Sequence, residues 1–91
     1  MKRIITNHLS PDLAKEKGIF EWPIWEKEVS VFNWEYDSDE HCYIVEGEVD
    51  IETSEGKYTL SVGDYVVFKR GLQCVWKIKK AIRKHYYFPE N

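Results

Sequence analysis

From Val29 onward the apolar residues fall at every second position, and each run is short and ends in a turn signal. Successive side chains of a strand point to opposite sides, so this pattern sorts residues onto two faces. Val29, Val31, Asn33 and Glu35 share one face, and Ser30, Phe32, Trp34 and Tyr36 the other. Asp37-Ser38-Asp39 then turns the chain into Glu40 to Glu46, and Gly47 is expected to let it reverse. Glu48 to Thr53 alternates cleanly, with Val49 and Ile51 inward and Glu48, Asp50 and Glu52 outward. Ser54-Glu55-Gly56 is a hairpin turn in which Gly56 supplies positive φ. Lys57 to Val62 returns with Tyr58, Leu60 and Val62 inward, and Gly63-Asp64 turns again. Tyr65 to Phe68, Gln73 to Ile78 and Ile82 to Phe88 complete the set. Many short strands at regular intervals predict an antiparallel all-β sandwich or barrel.

The segment before Val29 reads differently. Residues 3–8 alternate weakly and suit an edge strand. Ser10 is placed as an N-cap and Pro11 at the first helical position, where its missing N–H costs nothing. Asp12 and Glu16 suit the positive helix end and Gly18 the position after it. The result is one short helix, Pro11 to Lys17, too short to stand alone and expected to dock through Leu13 and Ile19. Ile19 to Trp25 is apolar and irregular, and Pro23 bars it from a central strand. Trp22 and Trp25 therefore form a lid packed over the barrel or wall a ligand pocket. The chain reads as one domain, 1–91, with a barrel over 29–88 and a strand, helix and lid over 1–28.

A chain of 91 residues buries only roughly 60% of its unfolded surface. An aromatic content of 15% makes that core efficient and favours strands. The net charge is −3, with both signs interspersed. It leaves no basic patch for nucleic acid. No run approaches the ~18 apolar residues of a spanning helix, so no membrane partner is expected. Met1 to Asn7 has no apolar stretch or cleavage site of a signal peptide, which points to the cytoplasm. Two cysteines, Cys42 and Cys74, are too few for a disulfide scaffold and are read as free thiols.

Two stretches carry a resemblance. Glu40 followed by Gly47 with six residues between, and Gly63-Asp64 followed by Lys69-Arg70-Gly71 and Cys74, resemble the two sequence motifs of the cupin superfamily. A closer resemblance is to the small single-domain cupins grouped with ureidoglycine aminohydrolase. It is carried by Trp22-Pro23-Ile24-Trp25, Trp34-Glu35-Tyr36-Asp37, Glu40-His41-Cys42-Tyr43 through Gly47, Gly63-Asp64 through Trp76, and Lys84-His85-Tyr86. Lys69 stands where that pattern has proline, which is expected to loosen the loop before Gly71. The resemblance implies a jelly-roll barrel with an interior pocket, and cupins commonly dimerise, so a homodimer is a candidate assembly. It does not imply the usual metal site. The paired metal-binding histidine positions are Trp34 and Tyr36, the third is Cys74, and only Glu40 is retained. No metal cofactor is expected. Zinc held by Cys74, Glu40 and either Cys42 or His85 is the form such a site would take.

On this mapping Trp34, Tyr36, Glu40, Cys42, Cys74 and Trp76 have the parity to face one interior. A buried carboxylate needs a partner, and Lys84, in step with Ile82 and Tyr86, is the candidate. Glu40, Lys84 and Cys74 are the candidate catalytic groups. Trp34, Tyr36, Cys42, Trp76 and Tyr86 are the candidate ligand-binding walls. His41 and His85 are offset by one residue and expected to face away, so no base is placed for a thiol nucleophile. Three readings follow: a pocket that binds a small polar metabolite, an enzyme resembling ureidoglycine aminohydrolase, and a structural or interaction module with a filled barrel.

Overall fold

The computed structural model describes residues 3–89. Among the described residues, seven antiparallel strands and one short helix make up the fold. In chain order these are β1 (Ile4–His8), α1 (Pro11–Glu16), β2 (Ile24–Lys27), β3 (Ser30–Glu35), β4 (Glu40–Thr53), β5 (Gly56–Ser61), β6 (Asp64–Phe68) and β7 (Gln73–Tyr87), with a 3-10 turn at Ile19–Glu21 between α1 and β2. The all-β class that the alternation predicts is the one found, in the barrel form that the resemblance implies.

Two long strands organise it. β4 pairs with β6 through Glu40–Tyr43 and with β5 through Glu48–Thr53. β7 pairs with β3 through Gln73–Ile78 and with β2 through Ile82–His85. β4 and β7 also pair with each other along their length. Each long strand thus serves two different neighbours, and the sheet rolls where they bend. The expected breaks at Gly47 and after Ile78 are not breaks. Register shifts between Ile44 and Val49 keep both strands continuous while they curve. Gly47 sits in that bend with φ +94°, and a Cβ there would strike the backbone of Lys80, Ala81 and Ile82. It permits a close crossing rather than a reversal.

The core follows the predicted parity with two exceptions. Cys42, Ile44, Val49 and Ile51 of β4 pack against Trp76, Ile78 and Ile82 of β7 and Leu60, Val66 and Phe68. Val62, expected inside, lies beyond the end of β5 and is exposed. Asp50, expected outside, is buried, and its carboxylate accepts from Thr59 Oγ1 at 2.7 Å and lies 3.4 Å from Lys79 Nζ.

The N-terminal segment joins the sheet. β1 pairs with β6, as the edge strand read over residues 3–8 predicts. Ser10 caps α1, accepting from the Leu13 N–H at 3.2 Å. The helix docks through Ala14 and the adjacent Ile19, both fully buried, while Leu13 is exposed. Ala14 lies one position further round the helix, and its small side chain lets the short helix approach Tyr43. Pro23 precedes β2 rather than entering it, which leaves Ile24 free to begin an edge strand on β7. The two tryptophans of that segment divide. Trp22 stacks on Tyr87 on the outer face, and Trp25 meets the edge of Trp76 on the inner side.

Candidate functional site

The β2 and β3 ends of the barrel enclose a cavity of about 510 Å³. Its walls are dominated by rings: Trp25 from β2, Phe32 and Trp34 from β3, Trp76 and Tyr86 from β7, and Tyr36 in the turn after β3. Phe32 stacks on Trp76 at 5.9 Å and 12°. Tyr36 stacks on Phe68 at 4.7 Å and 6°. Trp34, 53% exposed, and Phe88, 51% exposed, stand at the open side.

Into this apolar wall the fold places one ion pair. Glu40 opens β4 and Lys84 lies near the end of β7, and both are more than nine-tenths buried. Lys84 Nζ donates to Glu40 Oε2 at 2.7 Å and to Cys42 Sγ at 3.2 Å. The Cys42 thiol in turn donates to the same Glu40 Oε2 at 2.9 Å. Three rings surround the ammonium, with centroids at 4.9 Å (Trp76), 5.0 Å (Trp25) and 5.9 Å (Phe68). Their faces are attractive to a cation, the more so when water is excluded.

The protonation states follow from these contacts. Burial pulls the Lys84 ammonium down, but the Glu40 carboxylate beside it and the hydrogen bonds to Glu40 and Cys42 outweigh it and hold the group above the ordinary lysine value. Burial pushes the Cys42 thiol far above the ordinary range, so it remains an S–H at neutral pH. Burial, reinforced by Glu40, likewise holds Tyr36 as a neutral phenol. Trp76 Nε1 is fully buried without a hydrogen-bond acceptor among the described residues. Its N–H favours the ionised forms of Tyr36 and Cys74 without meeting either at hydrogen-bond geometry.

The structure brings most of the expected residues together. Trp34, Tyr36, Glu40, Trp76, Lys84 and Tyr86 all line the cavity, with Cys42 directly behind the ion pair. Cys74 does not join them. It is buried against the core and borders a separate open cleft with Asn33, Glu35 and Gln73. Burial pushes its thiol up to about 11. His41 and His85 face away as their offset predicts. His85 is nevertheless buried, its Nδ1–H donating to the Trp22 carbonyl at 2.9 Å. His41 Nδ1 meets the Tyr65 hydroxyl. Lys27, Asn33 and Phe88 line the cavity unforeseen. Phe32 shares the inward parity of Trp34 and was legible by that signal, whereas Lys27 and Asn33 carried none.

A cupin metal would need ligands at the positions of Trp34, Tyr36 and Cys74 beside Glu40. Among the described residues no three His, Cys, Asp or Glu side chains converge. The zinc arrangement with His85 fails because that ring sits on the opposite face of β7. The Glu40 and Cys42 donors are already bridged by an ammonium. This donor set does not fit a metal.

The loop before Gly71 is held rather than loose. Asp39 Oδ1 accepts from the Arg70 N–H at 2.8 Å and Oδ2 from Lys69 Nζ at 3.1 Å, and these contacts lower the Asp39 carboxyl. Lys69 thereby ties the loop before Gly71 to the turn before Glu40.

A family profile described as the EutQ-like cupin domain matches residues 14–86. A DUF861 family protein from Thermotoga maritima, known from its crystal structure, is 46% identical to the chain. The match covers 94% of this chain and 99% of that one, with a TM-score of 0.88. A putative ethanolamine utilization protein Q from Salmonella typhimurium is 16% identical over 97% of this chain and 71% of its own, with a TM-score of 0.65. The EutQ protein of Clostridium difficile is 20% identical over 94% and 68%, also with a TM-score of 0.65. The last two share the fold. No functionally curated protein matches the chain.

Proposed function

The chain belongs to the EutQ-like cupin domain family, and on that premise we propose that it binds a small polar metabolite in its barrel without a metal. The observation that carries this reading is the Lys84 ammonium, which bridges Glu40 and Cys42 beside the cavity. Where a metal-dependent relative would present a cation to its ligand, this chain presents an organic ion pair in an aromatic box. The cavity lies within the ~300–1,000 Å³ range of small-molecule sites. That open volume favours a binding pocket over a filled, purely structural barrel. Two cysteines without a disulfide suit a reducing cytoplasm. The β1 edge, paired on one side only, is the candidate surface for a homodimer.

An enzyme resembling ureidoglycine aminohydrolase is the second reading. Its support is the Glu40 carboxylate, which lines the cavity beside a proton-bearing lysine, the pairing that acid/base chemistry requires. Substitution of the three histidine positions weighs against that reaction. The test is a thermal-shift screen of nitrogenous and carboxylate metabolites with a chelator present, repeated on Glu40→Gln and Cys74→Ser. Stabilisation of the parent and Cys74→Ser, but not Glu40→Gln, is expected. Stabilisation that vanishes with the chelator, or turnover that needs an added metal, would overturn the binding reading.

A further inference from the structure

The ion pair is not saturated. Glu40 Oε2 accepts both Lys84 Nζ and Cys42 Sγ, whereas Oε1 accepts no hydrogen bond among the described residues. Oε1 is not among the fully enclosed unpartnered atoms, so it keeps access to the cavity that Glu40 lines. Lys84 has three N–H bonds and two acceptors. The third N–H has no acceptor among the described residues, and Lys84 lines the same cavity. One end of the cavity therefore holds an unfilled acceptor and an unfilled donor on a carboxylate and an ammonium that already neutralise each other.

Charge then restricts the occupant. A ligand carrying a net charge would leave that charge uncompensated beside the balanced pair, at the buried aromatic end of the pocket where desolvation is expensive. The other charged group on the cavity wall, Lys27, is exposed, with its ammonium 5.4 Å from the Phe32 ring centroid at the rim, where water screens it. A neutral head with one donor next to one acceptor satisfies both free valences at no such cost. The rings of Trp25, Phe32, Trp34 and Trp76 offer faces and edges suited to a flat body.

We infer that the cavity receives a neutral planar heterocycle of the lactam type, its ring N–H donated to Glu40 Oε1 and its adjacent carbonyl accepting from Lys84. This rests on the metal-independent binding reading and narrows it to a ligand class. The probe is 2-pyridone, a flat ring with the cis N–H and C=O edge. Three comparisons isolate the features. 1-Methyl-2-pyridone keeps the ring and carbonyl but loses the donor. Benzoate and benzylammonium keep a flat ring and carry an anionic or cationic head.

Titration of the intact protein is followed by the indole N–H signals of the tryptophans in nuclear magnetic resonance spectra. 2-Pyridone is expected to shift Trp25 and Trp76 saturably while Trp22, on the outer face, is unmoved. Its affinity is expected to exceed that of 1-methyl-2-pyridone by at least about tenfold, the loss for one hydrogen bond to a charged group. Equal affinity for the two pyridones would overturn the inference. Tighter binding of benzoate or benzylammonium would overturn it while leaving a small-molecule pocket in place. Failure of all four probes, with a hit of another class in the broader metabolite screen, would do the same.

Discussion

Lys84 Nζ lies 2.7 Å from Glu40 Oε2, joining residues 44 positions apart in a space otherwise walled by aromatic rings. The pair's net contribution to stability is small, because burying each ion costs about what their attraction returns. Losing one partner is different. Glu40→Gln strands a buried ammonium and Lys84→Met strands a buried carboxylate. Each single variant is expected to lose about 3–5 kcal/mol in denaturant unfolding, whereas Glu40→Leu with Lys84→Met stays near the parent. Singles within the error of the parent would show that the pair is not desolvated in solution.

The same pair gives a pH signature. A lysine held above its unfolded value of about 10.4 contributes fully below that pH and loses the contribution as pH rises through its folded value. Tyr36, raised mainly by burial, also loses stability with alkali, because only the unfolded chain ionises readily. The difference between parent and Lys84→Met isolates the lysine. In urea titrations between about pH 8 and 11, parent stability should fall more steeply than that of Lys84→Met once pH passes about 10.4. Parallel curves would contradict a raised Lys84.

Gly47 carries the bend of β4. A methyl group there meets the Lys80 carbonyl and Ile82 Cα at 2.8 Å, in addition to a φ of +94°. Gly18, at φ +75°, has open space around its missing Cβ. Gly47→Ala is expected to cost at least about 3 kcal/mol and Gly18→Ala about 1–2 kcal/mol, since only the first adds a backbone collision to left-handed strain. Thermal melts of the two variants provide the comparison, and equal losses would refute the close crossing.

Both thiols are predicted to be inert in the native protein. Cys42 is fully buried with its thiol pushed up, and Cys74 is pushed up to about 11. A disulfide reagent at about pH 8 should therefore label neither until denaturant is added, when both react. Rapid native labelling of Cys74 would return it to the list of candidate nucleophiles.

The period-two alternation was enough to read an all-β sandwich or barrel and the facing of Phe32, Trp34, Val49 and Ile51, because one strand face must be buried wherever the core lies; the motif resemblance added the barrel form and the facing of Cys42 and Trp76. It could not show that β4 and β7 each run unbroken, since a bulge at Gly47 and a reversal at Gly47 leave the same local sequence. Lys84 was legible as the partner of Glu40 because a buried carboxylate demands one. The separation of Cys74 from the pair was not. Parity fixes which side of a sheet a residue faces, not how far along a curved barrel it lies. Lys27 and Asn33 reach the cavity through the edge pairing of β2 and β3 with β7, which no local pattern encodes.

The proposed metal-independent pocket rests on the Lys84 ammonium paired with Glu40. The direct measurement is metal content after equilibration with zinc, manganese and ferrous iron, on the parent and on Glu40→Gln. The parent is expected to retain well below one equivalent of any of them. A full equivalent bound by the parent and lost in Glu40→Gln would contradict the account.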